Sequence, residues 1–576
     1  MYGQLNSACL YGIEGVMISV EIDLANGLPQ THIIGLPDSA IRESALRVRS
    51  AVRNCGFRYP QQRITINLAP ADLRKEGSAF DLAIAVGILT TSGQLIMPSA
   101  KRMLLIGEVA LDGSLRPVTG VLPMVEAARR EGFEAVLLPR KNAAEAALIS
   151  GMKVYAADHI NQLRDNSLEP EYKTAGSANR EAGSYLALPS DNPASPIAED
   201  TPDGTASLPF PVTVDGAPGL KEPVTAYSLE HLRYISSPII TEPAANAEEA
   251  MKEDYSDVTG QHHVKRALTI AAAGMHNILL IGPPGTGKTM MIKRLPGILP
   301  ALSDSEALEV TKIFSAAGKL IDARQGLIRD RPFRSPHHTI SGAGLIGGGS
   351  VPKPGEVSLA HRGILFLDEL PEFSRSVLEM LRQPLEDHIV TISRARAAFT
   401  FPARLMLAAS MNPCHCGFLG SGHPAQRCTC SPARIAQYRG RLSGPLLDRI
   451  DLQVEVPRPR DLDKKVASPG LSTADMRSQV EEAHRLQAAR YRRLPISWNS
   501  ELYGAALKRH ADPGPDGSQM LHDLLENLGL SMRSYDRILK LSRTIADLEC
   551  AERITPGHIA EALQYRNLDK PPGDGE

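Results

Sequence analysis

A loop rich in glycine and proline joins an apolar run at Ile278–Ile281 to a helix-compatible segment, and it reads Gly282-Pro283-Pro284-Gly285-Thr286-Gly287-Lys288-Thr289. Glycines let backbone N–H groups close around a phosphate, the lysine places a positive charge beside the β- and γ-phosphates, and the threonine hydroxyl can ligate Mg²⁺. An apolar strand before such a loop and a helix after it are the context in which it binds nucleotides. The loop therefore predicts a site for ATP and Mg²⁺.

Two further apolar runs end in polar side chains. Residues 363–367 lead into Asp368 and Glu369, and residues 405–411 lead into Asn412. Taken alone, such residues are usually a solvated strand end and a turn residue. Behind a phosphate-binding loop they indicate hydrolysis: Asp368 would hold the metal's water shell, Glu369 would take a proton from the attacking water, and Asn412 would sense the γ-phosphate.

Arg449 and Arg533 are the candidate arginines of this chemistry. An arginine picked at random from this chain is a surface residue by default. The transition state of phosphoryl transfer, however, spreads negative charge over its oxygens, and a bidentate cation supplied by a neighbouring subunit would stabilise it. On this hypothesis an oligomer is required for activity.

The totals place these residues in a large, ordinary globular chain. It has 576 residues, with 63 Lys plus Arg against 65 Asp plus Glu. We expect roughly three folding units, and any contact with nucleic acid has to come from local basic patches. The N-terminus lacks a signal-peptide pattern and no run approaches membrane-spanning length, while seven cysteines are typical of a reducing compartment. We expect a soluble, cytoplasmic protein with no membrane contact.

Residue patterns divide the chain into four parts. Residues 1–166 mix alternating and helical patterns, which predicts an α+β domain, and residues 167–245 are rich in Ser, Pro and Gly, which is typical of a mobile linker. In residues 246–456 apolar strands alternate with helices, as in an α/β core with a parallel sheet. Residues 457–576 read as helical only and predict a lid domain. Its first helix is expected to begin at Ser472-x-x-Asp475, with Met476, Val480 and Ala483 on one face.

Four motifs carry a resemblance to a known family: residues 276–280, 331–339, 354–361 and 443–449. They resemble the magnesium-chelatase-like AAA+ ATPases, and the likeness extends from Met1 nearly to Leu568. The resemblance implies a hexameric ring in which Arg449 is the trans-acting arginine finger and Arg533 is the sensor arginine of the lid. It also implies a helicase that promotes branch migration while DNA is integrated during natural transformation. Its implied partners are single-stranded and branched DNA, together with recombinase or loader proteins.

Residues 64–83, together with 107–109 and 113–118, resemble the proteolytic domain of Lon, a fold shared with part of a ribosomal protein. Ser78 lies near the position of the Lon nucleophile, but residues 120–128 contain no lysine that would act as its base. A serine hydroxyl without a base is a poor nucleophile, so we interpret this domain as a non-proteolytic scaffold. Lys75 precedes Ser78 in the same loop, where we expect a surface charge or a phosphate contact.

Two segments before Asn412 are candidates for contact with DNA. Residues 341–350 are too glycine-rich for a packed helix and predict a flexible loop. Residues 388–401 predict two short strands that turn around Arg394 and Arg396, which would hold phosphates without reading sequence. The alternative is a structural hairpin with solvated arginines.

Cys414-x-Cys416 and Cys428-x-Cys430 form two close pairs. Four thiolates can bind one structural zinc ion in a tetrahedron, which would cross-link a loop that has little core of its own. Unliganded, reduced cysteines are the other interpretation.

Two further classes of function compete with the DNA motor. A motor subunit of a magnesium chelatase, or another AAA+ remodeller, would share the ATPase core and act on a protein partner, but we expect no long Lon-like domain in a chelatase motor. An ATP-dependent protease is opposed by the missing lysine.

Overall fold

A computed structural model describes residues 1–96, 102–163, 212–214, 224–228, 253–320, 326–349, 352–394, 397–420, 427–458, 471–528 and 531–566. The chain divides into two compact units, Met1–Ala245 with Phe314–Leu327, and Asn246–Ile313 with Ile328–Glu576. Each has a hydrophobic core. No helix among the described residues is long and apolar enough to cross a bilayer.

The first unit is built on a mixed sheet. Its elements are β1 (Tyr2–Tyr11), β2 (Glu14–Ala25), β3 (Gln30–Ile34), α1 (Ser39–Asn54), β4 (Arg63–Ala69), α2 (Asp81–Thr91), β5 (Leu95–Ile96), β6 (Met103–Leu105), β7 (Glu108–Val109), β8 (Leu115–Arg116), α3 (Val121–Arg130), β9 (Ala135–Pro139), α4 (Ala143–Ala146) and β10 (Lys153–Ala157). Seven strands form one sheet in the order β10-β9-β6-β1-β2-β4-β3. In β2 every second residue from Ile18 to Leu24 is buried, because a strand alternates its side chains between two faces. The alternating pattern expected in residues 1–166 is thus found in this strand.

The predicted linker, residues 167–245, lies mostly outside the described residues. Two short strands in it are described, β11 (Val212–Val214) and β12 (Val224–Ser228), and they pair antiparallel. Strand β12 also pairs in parallel with β5, so these three strands form a small sheet of their own in the first unit.

The second unit alternates strands and helices before a run of helices. Its elements are α5 (His262–Gly274), β13 (Ile278–Ile281), α6 (Lys288–Lys293), α7 (Asp304–Ala316), β14 (Phe333–Arg334), α8 (Gly342–Ile346), β15 (Gly347–Gly348), β16 (Lys353–Pro354), α9 (Glu356–Leu359), β17 (Ile364–Leu367), α10 (Arg375–Glu379), α11 (Arg382–Asp387), β18 (Ile389–Arg394), β19 (Ala397–Pro402), β20 (Met406–Met411), α12 (Pro432–Arg439), α13 (Gly444–Leu447), β21 (Leu452–Glu455), α14 (Thr473–Tyr491), α15 (Gly504–His510), α16 (Gly514–Leu528), α17 (Met532–Leu548) and α18 (Pro556–Gln564).

A five-stranded sheet in the order β14-β17-β20-β13-β21 organises this unit, and its neighbouring strands are all parallel. The prediction of a parallel sheet with alternating helices is confirmed. Leu367 at the end of β17 aligns with Ala409 of β20, and Met411 aligns with Ile281 of β13. The residues that follow these three strands therefore meet at one edge of the sheet.

The first helix after the sheet begins where the sequence predicted. Ser472 caps α14, its hydroxyl accepting a hydrogen bond from the Asp475 N–H, while the Asp475 carboxylate accepts one from the Ser472 N–H. Met476, Val480 and Ala483 are fully buried and share one core with the strands of the sheet. The helical face read from the sequence is thus confirmed, and its burial ties these helices to the α/β sheet.

The glycine-rich segment differs from its prediction as a flexible loop. Ser341 caps the short helix α8 by accepting a hydrogen bond from the Gly344 N–H at 3.1 Å, and Leu345 of that helix is fully buried. The capping serine and one buried leucine offset the low helix propensity of glycine. The second predicted feature, a hairpin, is confirmed: β18 pairs antiparallel with β19, with Arg394 opposite Ala397.

Candidate nucleotide site and arginine pair

At the carboxyl edge of the sheet, Thr289 and Asp368 lie in direct contact. The Thr289 hydroxyl donates a hydrogen bond to Asp368 Oδ2 at 2.9 Å, and the Ser410 hydroxyl donates to Asp368 Oδ1. Thr289 at the start of α6, Asp368 after β17 and Ser410 in β20 thus bring three side-chain oxygens together. Carboxylate and hydroxyl oxygens suit Mg²⁺, so Thr289 and Asp368 would hold this ion, which would neutralise charge on the β- and γ-phosphates.

Ser410 was not predicted from the sequence. It lies within the apolar strand β20 and is buried. The sequence did contain a signal for it: Ser410 is a polar residue inside an otherwise apolar strand, two positions before Asn412. Its hydroxyl fixes the Asp368 carboxylate.

The phosphate-binding loop contains the backbone geometry that its glycines allow. Gly285 and Gly287 have φ values of +78° and +85°, in the left-handed region. The Lys288 ammonium donates hydrogen bonds to the carbonyls of Gly282 and Pro283, at 2.6 and 2.9 Å. Burial lowers the pKa of Lys288, while the charges of Asp368 and Glu369 act in the opposite direction. The lysine is held inside the loop by carbonyls that phosphate oxygens can replace.

Asn412 and Glu369 complete this edge. Asn412 Oδ1 lies 3.4 Å from Lys288 Nζ. Glu369 adopts a φ of +53°, and its N–H donates to Asp368 Oδ1 at 3.1 Å. Left-handed backbone is uncommon outside glycine and is frequent at functional sites. The Glu369 backbone is therefore fixed by the same carboxylate that Thr289 contacts.

The four cysteines form a cluster close to the loop. The Sγ atoms of Cys414, Cys416 and Cys428 lie 3.4 to 3.7 Å apart, and all four Sγ atoms lie within 4.8 Å of one another. Zinc–sulfur bonds of 2.3 Å in a tetrahedron place sulfurs about 3.8 Å apart. The donor set and its spacing fit one zinc ion, which would supply a structural cross-link.

The cysteine segment also packs on the phosphate-binding loop. Gly417 has a φ of +84°, and a Cβ atom at this position would lie 2.9 Å from Cδ of Pro284. Only glycine allows this close approach without displacing the proline. The cluster therefore supports the loop from the side of Asn412.

We predict that the purified protein holds about one zinc ion per chain and that a Cys428→Ser/Cys430→Ser variant holds none, because two thiolates cannot form a closed structural site. Metal analysis by mass spectrometry measures this. Cys550→Ser, which changes an exposed cysteine outside the cluster, is the control and should retain the metal. Zinc-free wild-type protein that keeps full ATP affinity would contradict a structural role.

Arg449 lies at the opposite edge of the sheet. Its carbonyl accepts a hydrogen bond from Asn277 Nδ2 at 2.8 Å, and Asn277 precedes the first residue of β13. Lys288 and Thr289 follow the other end of that strand, and a four-residue strand spans about 13 Å. Arg449 is therefore separated by the sheet from the phosphate-binding loop of its own chain.

Arg533 lies beside Arg449, and both contact one carboxylate. Arg449 Nη2 donates to Glu386 Oε2, and Arg533 Nη2 lies 3.9 Å from Glu386 Oε1. All three residues line a cavity of about 540 Å³ that also contains Arg537 and Lys540. Burial lowers the pKa of Arg449, and the positive charges of Arg533 and Arg537 add to this effect. The structure thus places Arg449 and Arg533 against the same carboxylate, Glu386, in a cavity that both acidic and basic side chains line. No pattern in the sequence indicated this contact.

Of the predicted DNA contacts, Arg394 is described and Arg396 lies outside the described residues. The Arg394 guanidinium is exposed and donates a hydrogen bond to the Gly349 carbonyl at 3.0 Å. This contact joins the hairpin to the glycine-rich segment that contains α8. Arg394 is therefore oriented by a neighbouring element.

In the first unit, Ser78 and Lys75 do not form a pair. The Ser78 hydroxyl donates to the Glu108 carboxylate, and the Lys75 ammonium donates to the Pro70 carbonyl. Lys75 is fully buried, and burial lowers its pKa. The prediction of Lys75 as a surface charge is wrong, because the loop folds its side chain into the unit.

Profiles of the magnesium chelatase family match three stretches of the chain. The profile described as magnesium chelatase, subunit ChlI, matches residues 254–463, and its C-terminal counterpart matches residues 470–566. A further profile, subunit ChlI of Mg-chelatase, matches residues 20–142. The matches cover both the nucleotide edge and the arginine pair.

Two relatives align with this chain over nearly its whole length, and a third aligns with about half of it. The YifB protein of Salmonella typhimurium is 40% identical over 560 residues, 97% of this chain and 96% of the relative. The competence protein ComM of Haemophilus influenzae is 39% identical over 558 residues, with the same coverage. The magnesium-chelatase 38 kDa subunit of Cereibacter sphaeroides is 24% identical over 345 residues, 54% of this chain and 91% of that subunit. The predicted family is confirmed: the chain belongs to the YifB/ComM family of magnesium-chelatase-like AAA+ proteins.

Proposed function

We propose that this protein hydrolyses ATP at the interfaces of a hexameric ring and uses the energy to move along DNA, as a helicase or branch-migration translocase in the integration of DNA. The observation that carries the proposal is the meeting of Lys288, Thr289, Asp368 and Asn412 at one edge of a parallel sheet. A competence protein among the relatives that align over nearly the whole chain supports the DNA-related part.

At the nucleotide edge, each side chain has a separate task in hydrolysis. Lys288 exchanges its loop carbonyls for the β- and γ-phosphate oxygens of ATP. Glu369, which follows the metal-binding Asp368, accepts a proton from the attacking water. Asn412 donates its amide N–H to the γ-phosphate and so distinguishes ATP from ADP.

Arg449 and Arg533 act on the nucleotide of the adjoining subunit. Both arginines lie at the edge of the sheet where the parallel strands begin, and the sheet separates them from Lys288 of the same chain. The phosphate that they contact therefore has to be bound by a neighbouring chain. Guanidinium groups pair bidentately with phosphate oxygens and stabilise the charge of the transition state. Assembly and hydrolysis are thereby coupled.

The hairpin of β18 and β19 is the proposed DNA grip. Arg394→Ala/Arg396→Ala is expected to remove the stimulation of ATP hydrolysis by single-stranded DNA, because phosphate contacts supply most sequence-independent affinity. The rate without DNA should stay within about twofold of wild type, since the described contact of Arg394 is with Gly349 and not with the nucleotide edge. A steady-state ATPase titration with single-stranded DNA measures both quantities.

The control for this prediction is Arg477→Ala/Arg485→Ala, which removes two exposed charges from α14. Its DNA stimulation should equal that of wild type. Undiminished stimulation of the hairpin variant would leave the two strands with a structural role only.

Strand displacement and branch migration on forked and four-way DNA test the motor itself. The chelatase-type alternative would instead show hydrolysis stimulated by a porphyrin-bearing protein partner and not by DNA. The chelatase subunit aligns with 54% of this chain, whereas ComM aligns with 97%, which favours the DNA motor. If the protein at assembling concentrations, with Mg²⁺ and varied polynucleotides, consumes no ATP, the proposal is refuted.

A further inference from the structure

The carboxylate of Glu386 lies between the side chains of Arg449 and Arg533. Glu386 lies on α11 and its side chain is 53% exposed, whereas the side chain of Arg449 is only 11% exposed. One carboxylate oxygen accepts from Arg449 and the other faces Arg533. A carboxylate, like a phosphate, is an anion that pairs with guanidinium groups through its oxygens.

The Arg449 side chain is turned back onto its own chain. Its Nη1 donates to the carbonyl of Pro445, in the short helix α13 that ends two residues earlier, at 2.6 Å, and its Nη2 donates to Glu386. The buried Nε atom has no hydrogen-bond partner among the described residues. Because an unsatisfied buried donor is unfavourable, this guanidinium is not in its best-satisfied arrangement, and bidentate contact with phosphate oxygens would satisfy more of its donors.

The backbones that bear the two arginines are fixed to each other. Asp451, two residues after Arg449, pairs with Arg537 of α17 at 2.5 Å and accepts from the Asn277 N–H at 3.1 Å. Arg533 is on the same helix α17. Burial raises the pKa of Asp451, but the charge of Arg537 acts in the opposite direction and holds that pKa below its usual range. The arginine side chains can therefore change partners while their backbones stay in place.

We infer that Glu386 is an intramolecular stand-in for phosphate: it pairs with Arg449 and Arg533 in the unassembled protomer and is displaced by the triphosphate bound to the next copy of this chain. This inference rests on the proposed function. It makes ring assembly compete with an internal ion pair. The apparent affinity of assembly then equals the intrinsic affinity multiplied by the fraction of protomers whose arginines are free of Glu386.

Assembly of a variant that keeps ATP bound tests this. In a Glu369→Gln background, which slows hydrolysis, sedimentation velocity with ATP and Mg²⁺ gives the protein concentration of half-maximal assembly. Adding Glu386→Gln, which removes the charge and keeps the shape, is expected to lower that concentration about three- to tenfold, the effect of losing one partly exposed ion pair. Glu481→Gln, a similarly exposed acid paired with Arg477, should leave that concentration unchanged.

A second arm isolates the arginine. With Arg449→Ala also present, the Glu386→Gln change should no longer shift assembly by more than about twofold, because the main partner of Glu386 is gone. The single Glu386→Gln variant at saturating protein should also hydrolyse ATP at the wild-type rate within about twofold.

The possible results distinguish a failure of the role of Glu386 from a failure of the proposed motor function. If wild type assembles and hydrolyses ATP but Glu386→Gln matches the Glu481→Gln control, the stand-in role is wrong and the motor stands. A higher half-maximal concentration, or a tenfold lower rate, would instead make Glu386 a residue that positions the arginines for catalysis. Wild type that neither assembles with ATP nor hydrolyses it would overturn both.

Discussion

Glu369→Gln is expected to lower the rate of ATP hydrolysis by about 10² to 10⁴, the usual contribution of a general base. Glu369 follows Asp368 directly and its backbone is held in a left-handed conformation by contacts with Asp368 and Ser410. Glutamine keeps the size of the side chain but cannot accept the proton of the attacking water. A steady-state phosphate-release assay at saturating ATP measures the loss.

Binding should survive this change, because Lys288 and the loop N–H groups are untouched. We expect ATP to raise the thermal unfolding midpoint of Glu369→Gln as much as that of wild type. Glu372→Gln is the matched control: it lies three residues further along, is paired on the surface with Arg441, and should hydrolyse ATP at about the wild-type rate. Equal loss in both variants would mean that the segment is merely perturbed.

Arg449→Ala is expected to cost more, about 10³ to 10⁵ in the hydrolysis rate, as measured for arginines that reach the transition state from a second protein surface. The reason is its place at the amino edge of the sheet, beside Arg533 and across from Lys288 of the same chain. ATP binding should be retained, which a fluorescent-nucleotide titration checks. Arg485→Ala, at an exposed arginine of α14, should be active.

Mixing two inactive variants distinguishes action in trans from action in cis. Lys288→Ala keeps Arg449 but loses the nucleotide grip, and Arg449→Ala keeps the grip but loses the arginine. In an equal mixture, about a quarter of the interfaces of a randomly assembled ring would join an intact nucleotide edge to an intact arginine edge. We expect activity to return in the mixture. A mixture as inactive as its components would place Arg449 in a structural role.

The functional motifs could be predicted where the residues of one site lie close together in the sequence. The loop 282–289 and the strand ends at Asp368 and Asn412 are local patterns, and parallel pairing brings strand ends to one edge without further information. The capping box at Ser472 and Asp475 is local for the same reason. Contacts between distant side chains left no such pattern. Glu386 and Arg533 are far apart in the chain, and Lys75 looked like an ordinary loop lysine until its burial was visible.

Local patterns were enough to predict the parallel α/β sheet of the second unit and its phosphate-binding loop, because strand periodicity and the spacing of glycines, lysine and acids are properties of neighbouring residues. The contacts between remote side chains became known only from the folded chain. Ser410 contacts Asp368, four thiols lie within 4.8 Å of one another, and Arg449 and Arg533 share Glu386. Such groupings depend on how helices and strands pack, and packing distances between remote residues are not written in any single stretch of the chain.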